Sequence, residues 1–469
     1  MLFHSPGFLL LFLPLSLLLL RFMPVGTARA LTLLALSYLF YSGAEPWFVL
    51  LLIASTLTDY AVALRIQADT RRTPRGLWLA LSVVVNIGLL AWFKLGGWLL
   101  PSIAPVLAGL GLWMPDPDVF DGYLLPAGIS FYTFQSLAYS IDVYRGRITA
   151  TRDLLGFANY VAYFPQLIAG PIERHAHLAP QLDALTSGHT RGAEARPPFS
   201  AGWDRLMLGI AQKLLLADSF GRIVDRLVDA PGPPDLFAAW SIALGFGLQI
   251  YFDFAAYTHM AIGISLMLGV RLRENFLSPY QAESIRDFWR RWHVSLSSWF
   301  RDYLYIPLGG SQSGPVRTVF NVLVVFALCG LWHGAGANFV LWGVLHGLLL
   351  AAYHARLRWL PDLSPPRALA MVLTFLCVHW IWVPFRIADS ARMVSVWQGM
   401  AGLNGIDAQV PPLDLLFLTL GVVGVLFVPH AARRWPGAAG AWESGALTTL
   451  ALVAVFSTPA SLQFIYFQF

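Results

Sequence analysis

Three histidines and a group of arginines in the second half of the chain are the side chains best suited to chemistry. His293 ends the charged, tryptophan-rich segment 288–293, and His333 and His346 each follow a further apolar run. Histidine titrates near neutral pH, so it can accept a proton from a substrate hydroxyl. His333 lies in Gly330-Leu-Trp-His-Gly-Ala335, where the flanking glycine leaves a ring edge accessible. A lone histidine among apolar residues is also consistent with packing inside a helix bundle.

Arginines surround the first of these histidines. Arg290 and Arg291 lie within segment 288–293, and Arg301 and Arg317 follow it. Arginine beside tryptophan is typical of the cytoplasmic surface of a membrane protein, which is one explanation of the group. The other is binding of an anionic cofactor from the cytosol, because the guanidinium fork matches the geometry of phosphate. Both explanations stay open at this point.

The composition predicts an integral membrane protein. Of the 469 residues, 57% are hydrophobic and only 12% are charged, against about 25% charged in a typical globular protein. Apolar runs extend from end to end, so we expect one all-α polytopic bundle of roughly 9–12 spans with re-entrant pieces. We treat residues 1–469 as a single domain with N-terminal spans 1–120, a core at 121–355 and C-terminal spans 356–469. Phe8–Phe22 is expected to be a retained first span and not a signal peptide.

Candidate spans are runs of about 20 mostly apolar residues. They lie around residues 7–22, 28–42, 46–64, 77–95, 98–114, 123–141, 154–170, 204–220, 236–252, 255–270, 318–332, 336–354, 368–385, 412–430 and 446–460. Arginine-rich connections favour the cytoplasm, so those at Arg21–Arg29, Arg65–Arg75 and Arg356–Arg367 are assigned to the inside. This orientation puts both termini outside, and the run that ends before His333 then leads outward from the cytoplasm.

Several other kinds of site are disfavoured. The net charge of +5 comes without a basic stripe or a recognised nucleic-acid motif, so no nucleic-acid partner is expected. His175 and His177 lack two further ligands at a defined spacing, so stretch 171–204 is interpreted as a surface loop with a short helix, and no metal is expected. His354 and His379 are interpreted as packing residues.

Long blocks of sequence carry a specific resemblance. The strongest are Phe288-Trp-Arg-Arg-Trp-His-Val-Ser-Leu-Ser-Ser-Trp-Phe-Arg-Asp-Tyr-Leu-Tyr-Ile-Pro-Leu-Gly-Gly310 and Leu331-Trp-His-Gly-Ala335. Together they resemble the membrane-bound O-acyltransferase (MBOAT) superfamily, and within it the bacterial alginate O-acetyltransferase-like branch. Leu125–Gln135, Phe164–Pro171 and the closing Phe464–Phe469 are similar to the same family, so the resemblance covers the chain from end to end. Ordered blocks of this length are far more specific than a single histidine.

The resemblance implies an MBOAT-type helical bundle around a central tunnel. An acetyl group would pass from acetyl-CoA on the cytoplasmic side to an acceptor reached from the other side. It also implies that His333 is the catalytic histidine and that His293 is its polar partner, which orients the acyl group or stabilises developing charge as an oxyanion hole does. The four arginines would then bind acetyl-CoA as the donor substrate, and no bound cofactor is expected.

Five further residues are assigned to the tunnel or to its support. They are Trp289, Trp332, His346, Asp253 and Asp302. For His346 we favour packing or support, because most buried polar side chains are there to be satisfied by partners. The two acids stand beside aromatic residues, and pairing with an arginine is favoured over catalysis.

The chain also departs from the branch. Phe254-Ala-Ala-Tyr-Thr-His259 replaces a small residue, a glycine and an acid of the usual pattern, and segment 277–284 differs as well. These departures leave the acceptor and the partner contacts open. The branch implies a periplasmic or membrane-anchored acetyltransferase partner that esterifies an exopolysaccharide. It also implies a multi-pass protein in the lipid bilayer of the bacterial inner membrane, with its termini in the periplasm.

Three alternatives remain beside this interpretation. The same scaffold can transfer an acyl group to another acceptor, such as a teichoic acid carrier, a lipid or a peptide hydroxyl. A transporter or channel for a polyanion would use the arginines as its ion path. A structural subunit of a polysaccharide secretion complex would carry out no thioester chemistry.

Overall fold

The structure is a computed structural model that describes residues 2–43, 45–110, 125–188, 197–360, 362, 365–407, 410–428, 440–458 and 464–465. Within these ranges the chain is helical and contains no strand, which confirms the all-α prediction. The helices are α1 (Leu13–Phe22, after a π-helical turn at Phe8–Phe12), α2 (Thr27–Ser42), α3 (Phe48–Ala68), α4 (Arg72–Gly109), α5 (Ile129–Tyr144), α6 (Leu154–Ala162), α7 (His175–Ser187), α8 (Phe199–Ala211), α9 (Asp218–Asp229), α10 (Leu236–Met267), α11 (Ile285–Arg291), α12 (Val294–Phe300), α13 (Pro315–His333), α14 (Ala337–Trp359), α15 (Arg367–Arg386), α16 (Ser390–Met400), α17 (Pro412–Phe427) and α18 (Ala441–Ser457).

The helices form two compact units. Unit 1 comprises Met1–Ile210, Tyr257–Arg273 and Gly437–Val455, and unit 2 comprises Ala211–Ala256, Glu274–Pro436 and Phe456–Phe469. The long helix α10 contributes its first part to unit 2 and its remainder to unit 1. The single-domain description of residues 1–469 stays a prediction.

Among the described residues, six helices are long and apolar enough to cross a bilayer, namely α3, α4, α10, α13, α14 and α15. Three shorter apolar helices lie at Phe8–Phe22, Pro412–Phe427 and Ala441–Ser457. A helix needs about 20 apolar residues to cross the hydrocarbon core, so the six long helices meet this length and the three shorter ones fall below it. The chain is a multi-pass membrane protein.

Two predicted pairs of spans are single helices. Runs 77–95 and 98–114 were predicted as separate spans, but α4 is one helix that continues through Pro101 and Pro105 as far as Gly109. Runs 236–252 and 255–270 likewise form the one helix α10. A helix at membrane depth tolerates proline where neighbouring helices or side chains satisfy the freed backbone groups. The division into two spans was therefore wrong in both places.

The predicted span 154–170 is helical only over α6. Residues 163–173 that follow are irregular, and every one of them is buried. Irregular backbone at this depth is tolerated where protein surrounds it, as a re-entrant segment requires. Gly170 allows the tight packing, because a Cβ there would lie 2.6 Å from the Cα of Gln166.

The polar stretch 171–204 is only partly a surface loop. Glu173 is fully buried, and its carboxylate accepts the backbone N–H of Arg273 at 2.7 Å and lies 2.7 Å from Nδ1 of His177. The ring of His175 lies 5.0 Å from that of Tyr160. The surface interpretation was wrong for Glu173, because a carboxylate with such partners can be taken out of water.

Unit 1 buries a polar network where α3, α4 and α5 pack together. The carboxylate of Asp59 is fully buried and accepts the amide of Asn86 at 2.8 Å, the hydroxyl of Ser140 at 2.8 Å and the hydroxyl of Ser82. Ser55 donates to Asn86 at 2.8 Å and extends the network. Every partner is neutral, and the hydrogen bonds offset the cost of burying the carboxylate.

In unit 2, α13 and α14 pack against each other closely enough to require glycine. A Cβ on Gly343 would lie 2.1 Å from the backbone oxygen of Phe326, and one on Gly330 would lie 2.1 Å from that of Phe339. Small residues of this kind let membrane helices approach through their backbones. The close approach holds the end of α13, where His333 lies, against the start of α14.

Candidate active site

His293 joins α11 to α12 in a strained backbone conformation. Its φ is 42°, and Ser278 is the only other non-glycine residue with a positive φ in the part of the chain that the structure describes. Such strain is kept only where the surroundings impose it. Asn275 imposes it here, because its backbone oxygen accepts the N–H of Val294 at 2.9 Å, while its Oδ1 accepts the N–H and the hydroxyl of Ser295 at 3.2 and 2.9 Å.

Burial also sets the protonation state of His293. Its side chain is inaccessible to solvent, and its ring centroid lies 4.6 Å from that of Phe254 and 6.0 Å from that of Trp332. Burial lowers the pKa of His293 to about 3. The imidazole is therefore neutral at physiological pH, with one nitrogen able to accept a proton and the other able to donate one.

His333 is the last residue of α13 and is only 4% exposed. The chain leaves the helix at Gly334, where a Cβ would lie 2.2 Å from the ring of Phe339. Glycine at this position therefore lets Phe339 close over the helix end. The ring of His333 lies between those of Trp342 and Phe385, at centroid distances of 5.1 and 5.2 Å.

Tryptophan rings connect the three histidines into one row. Trp332 lies 6.0 Å from His293 and 4.8 Å from His333, and Trp342 lies 5.1 Å from His333 and 4.9 Å from His346, all between ring centroids. Both ring nitrogens of His346 are buried without a hydrogen-bond partner among the described residues. We call this set of three histidines and two tryptophans the histidine row.

A cavity of about 550 Å³ lies beside the row and within unit 2. One wall of the cavity is the face of α13 that carries Val322, Val325, Phe326 and Cys329. These positions are three or four residues apart, so they form one stripe along the helix. His333 is four residues after Cys329 and continues the same stripe, about 6 Å further along the axis. The cavity wall thus leads to His333.

The cavity is basic at its exposed side. Arg286, Arg290 and Arg301 line it and are solvent-exposed, and no acidic residue is found among the described residues of the lining. Two of the four arginines predicted to bind the donor, Arg290 and Arg301, therefore lie at this cavity. Such a wall suits a phosphate-bearing ligand, because guanidinium groups form paired, charge-assisted hydrogen bonds with phosphate.

The other two predicted arginines lie elsewhere. Arg291 is paired with Asp287, its Nε lying 2.9 Å from the carboxylate. Arg317 borders a separate surface depression with residues 313–316, and its guanidinium lies 5.4 Å from the centre of the Phe320 ring. Their assignment to donor binding stays a prediction that this geometry does not favour.

Of the residues predicted to support the site, Trp289 lies at the cavity, whereas Asp302 and Asp253 form ion pairs. Trp289 lines the cavity, and its ring centroid lies 5.0 Å from that of His346. Asp302 pairs with Arg301 at 2.8 Å. Asp253 is buried and pairs with Lys213 at 2.9 Å, whereas an arginine was expected.

Lys213 forms the centre of a buried ionic cluster that sequence reasoning missed. Its Nζ lies 2.8 Å from the carboxylate of Asp218 and 2.9 Å from that of Asp253. The other oxygen of Asp253 accepts the backbone N–H of Ile465 at 2.7 Å. The chain has only two lysines, and Lys213 lies inside an apolar run. That position was the signal that could have revealed the cluster.

Asn275 and two cavity residues, Arg286 and His354, were missed as well. Nothing in the local sequence singles out Asn275, because its role depends on where the chain returns at 293–295. Arg286 precedes the charged segment and lies one helical turn before Arg290 on α11, and that spacing was an available signal. His354 was interpreted as a packing residue, but it lines the cavity.

The arrangement suits acyl transfer. A buried imidazole among aromatic rings is shielded from water, and electrostatic stabilisation of a developing charge is stronger in such a site. The basic cavity offers a place for an anionic activated donor, and the α13 stripe connects it to a proton-accepting histidine. The fold and the site define a membrane-embedded transferase.

Comparison with known proteins identifies the family. A model described as the membrane-bound O-acyltransferase family matches residues 33–388. A probable alginate O-acetylase of Pseudomonas putida is 40% identical over 93% of this chain and 90% of its own length. A probable alginate O-acetylase of Azotobacter vinelandii is 44% identical over 91% of this chain and 85% of its own length. A peptidoglycan O-acetyltransferase of Helicobacter pylori is 32% identical over 87% and 81%.

These matches exceed what chance similarity between apolar helices would produce, because they extend over most of both chains. The protein belongs to the MBOAT family. It is an O-acyltransferase. The family resemblance inferred from the sequence blocks is confirmed.

Proposed function

We propose that this protein is an O-acetyltransferase that takes an acetyl group from cytoplasmic acetyl-CoA and delivers it across the bilayer for polysaccharide O-acetylation. The names of its relatives, alginate O-acetylases and a peptidoglycan O-acetyltransferase, support a polysaccharide as the final acceptor. The single observation that carries the proposal is the α13 stripe, which leads from the arginine-lined cavity to His333.

His333 acts as general base in this proposal. A ring nitrogen accepts the proton of the acceptor hydroxyl, and the hydroxyl oxygen then attacks the thioester carbonyl. The carbon–sulfur bond breaks, and the CoA thiolate leaves with a proton returned from the imidazolium. His293, neutral and 6.0 Å from Trp332 between ring centroids, orients the acyl group or stabilises the oxyanion. Arg290 and Arg301 hold the donor phosphates.

The acceptor hydroxyl belongs either to a periplasmic or membrane-anchored acetyltransferase partner, which then transfers the acetyl group from its own ester to a hydroxyl of the exopolysaccharide, or to the exopolysaccharide itself. The setting is the bacterial inner membrane, with both termini in the periplasm. The sequence orientation supports this, because Arg317 at the start of α13 is inside and His333 at its end lies towards the outside. Purified protein that acetylated free polysaccharide at full rate without a partner would remove the partner from the proposal.

Turnover of acetyl-CoA by the detergent-solubilised protein tests the proposal, with release of free CoA as the readout. We expect His333→Ala to lose about 10²- to 10⁴-fold in turnover, the usual contribution of a general base, while its thermal melting stays close to wild type. His293→Asn should lose turnover as well. The matched control is His177→Asn, whose imidazole lies in unit 1 beside Glu173.

Two outcomes would contradict the proposal in different ways. If wild type released no CoA even with periplasmic extract added, the donor would be wrong, or the chain would be a transport or scaffold subunit. If His333→Ala turned over as fast as wild type, the base would lie elsewhere. Transfer to a lipid, teichoic acid or peptide in place of polysaccharide would change the acceptor alone.

A further inference from the structure

One side of the cavity carries polar groups that the predicted donor site does not include. Arg286 comes from α11, Tyr305 from the π-helical turn Arg301–Tyr305, Ser311 from the glycine-rich loop that follows, and His354 from α14. All four line the cavity. We call them the Arg286 cluster, and they are brought together from four separate parts of unit 2.

The members of the Arg286 cluster interact with one another. Arg286 is close enough to influence both Tyr305 and His354 electrostatically, and Ser311 lies beside Tyr305 in the cavity lining. Nδ1 of His354 is buried and has no hydrogen-bond partner among the described residues. The cluster thus presents a guanidinium, an imidazole and two hydroxyls to one side of the cavity, without a neighbouring carboxylate in the described lining.

The Arg286 cluster lies at the end of the cavity that is far from the histidine row. Arg286 precedes Arg290 by one turn of α11, and Arg290 is the closer of the two to His293 in the chain. On α14, His354 follows His346 by two turns, which is about 12 Å along the axis. A donor that enters with its thioester towards His333 therefore leaves its other end at the Arg286 cluster.

Coenzyme A carries phosphate in two places, a pyrophosphate within the molecule and a phosphate monoester on the ribose at its far end. Arg290, Arg301, Ser297 and Ser298 also line the cavity, and Arg290 and Ser297 lie three and four residues from His293 in the chain. We propose that the Arg286 cluster binds the ribose phosphate monoester of the donor. A dianionic phosphate with three acceptor oxygens matches a guanidinium fork flanked by an imidazole and hydroxyls.

This assignment rests on the proposed function and makes it more specific. A protein with this cluster distinguishes free CoA thioesters from pantetheine thioesters tethered to a carrier protein, because tethered donors lack the nucleotide and its phosphate monoester. The protein would then distinguish the two classes of donor at the end of the cavity that holds the Arg286 cluster, far from the thioester bond that reacts.

The test compares two donors, acetyl-CoA and acetyl-3′-dephospho-CoA, with wild type, Arg286→Gln and His354→Gln. Arg286 is solvent-exposed, so its substitution is compatible with folding. We expect each variant to raise the KM for acetyl-CoA about tenfold, the usual effect of losing one charge-assisted hydrogen bond. The same substitutions should change the KM for the dephospho donor less than about twofold. Arg358→Gln, an exposed arginine one turn further along α14, is the matched control.

The donor that lacks the phosphate separates a failure of the assignment made to the Arg286 cluster from a failure of the proposed function. Equal weakening of both donors by Arg286→Gln, or no weakening of either, would overturn the assignment of the Arg286 cluster while the proposed function stood. Wild-type protein that turned over neither donor would overturn the proposed function and the assignment with it.

Discussion

The Asp59 network of unit 1 and the histidine row of unit 2 bury polar side chains in opposite ways. In unit 1, Asp59 is surrounded by neutral donors that satisfy its carboxylate within one closed network. In unit 2, the histidine row is walled by aromatic rings and lies beside a cavity. A fully satisfied polar network stabilises one arrangement of the chain. The histidine row differs in that aromatic rings form most of its surroundings and a cavity lies beside it.

Lys213 of unit 2 lies in a second closed network, which is held together by ion pairs and not by neutral hydrogen-bond donors. It is the cation for both Asp218 and Asp253, and all three side chains are buried. Lys213→Met should destabilise the protein by about 3–5 kcal/mol, because it leaves carboxylates buried without a compensating cation. Denaturant unfolding in detergent measures the loss. Adding Asp253→Asn should recover part of it, and a double variant no more stable than Lys213→Met would contradict this account.

The loss of folding stability at acidic pH should reveal the contribution of His293 in the histidine row. Burial lowers the pKa of His293 to about 3, from the ordinary 6.5. Protonation therefore favours the unfolded chain, so the stability from neutral His293 is full above pH 6.5 and falls as the pH drops towards 3. At pH 5 the loss is about 2 kcal/mol.

The variant His293→Asn isolates this contribution, because asparagine does not titrate and tolerates the left-handed backbone at this position. Comparing its unfolding free energy with that of wild type at pH 7.5 and pH 5 measures the effect. The wild type should lose about 2 kcal/mol more than the variant between these two pH values. The same loss in both would show that His293 does not carry the acid sensitivity.

The smallest effect is expected at Asp59. Asp59→Asn keeps the shape of the side chain, and the serine hydroxyls around it can rotate from donors to acceptors. We expect a destabilisation of about 1 kcal/mol and unchanged acetyl-CoA turnover. Thermal melting and CoA release on the same sample measure both quantities. A large loss of turnover without a loss of stability would mean that the closed network is not merely structural.

Sequence patterns predicted the fold class because the length of an apolar run is a local property of the chain. The boundaries of α13, α14 and α15 lie close to the predicted runs for the same reason. Local reasoning failed at α4 and α10, each of which it divided into two spans although each is one continuous helix. It also failed at Glu173, whose burial depends on the backbone of Arg273, distant in sequence.

The site could be predicted only in part. His293 and His333 stood out because the blocks around them are distinctive, and the structure brings both to Trp332. Which arginines face the cavity could not be known, because α11 directs Arg290 to the cavity while Arg291 pairs with Asp287. Adjacent residues on a helix point about 100° apart, so a run of arginines cannot all serve one ligand.

The glycine contacts between α13 and α14 have a mechanical consequence. Backbone packed this closely leaves little room for either helix to slide or tilt, so the α13 side of the cavity is stiff. The glycine-rich loop that lines the cavity through Ser311 includes Gly309, Gly310 and Gly314, all with positive φ. Asn321 of α13 donates to the backbone oxygens of Leu308 and Gly310 in this loop at 3.1 and 3.2 Å, so the loop is fastened to the same helix that ends at His333.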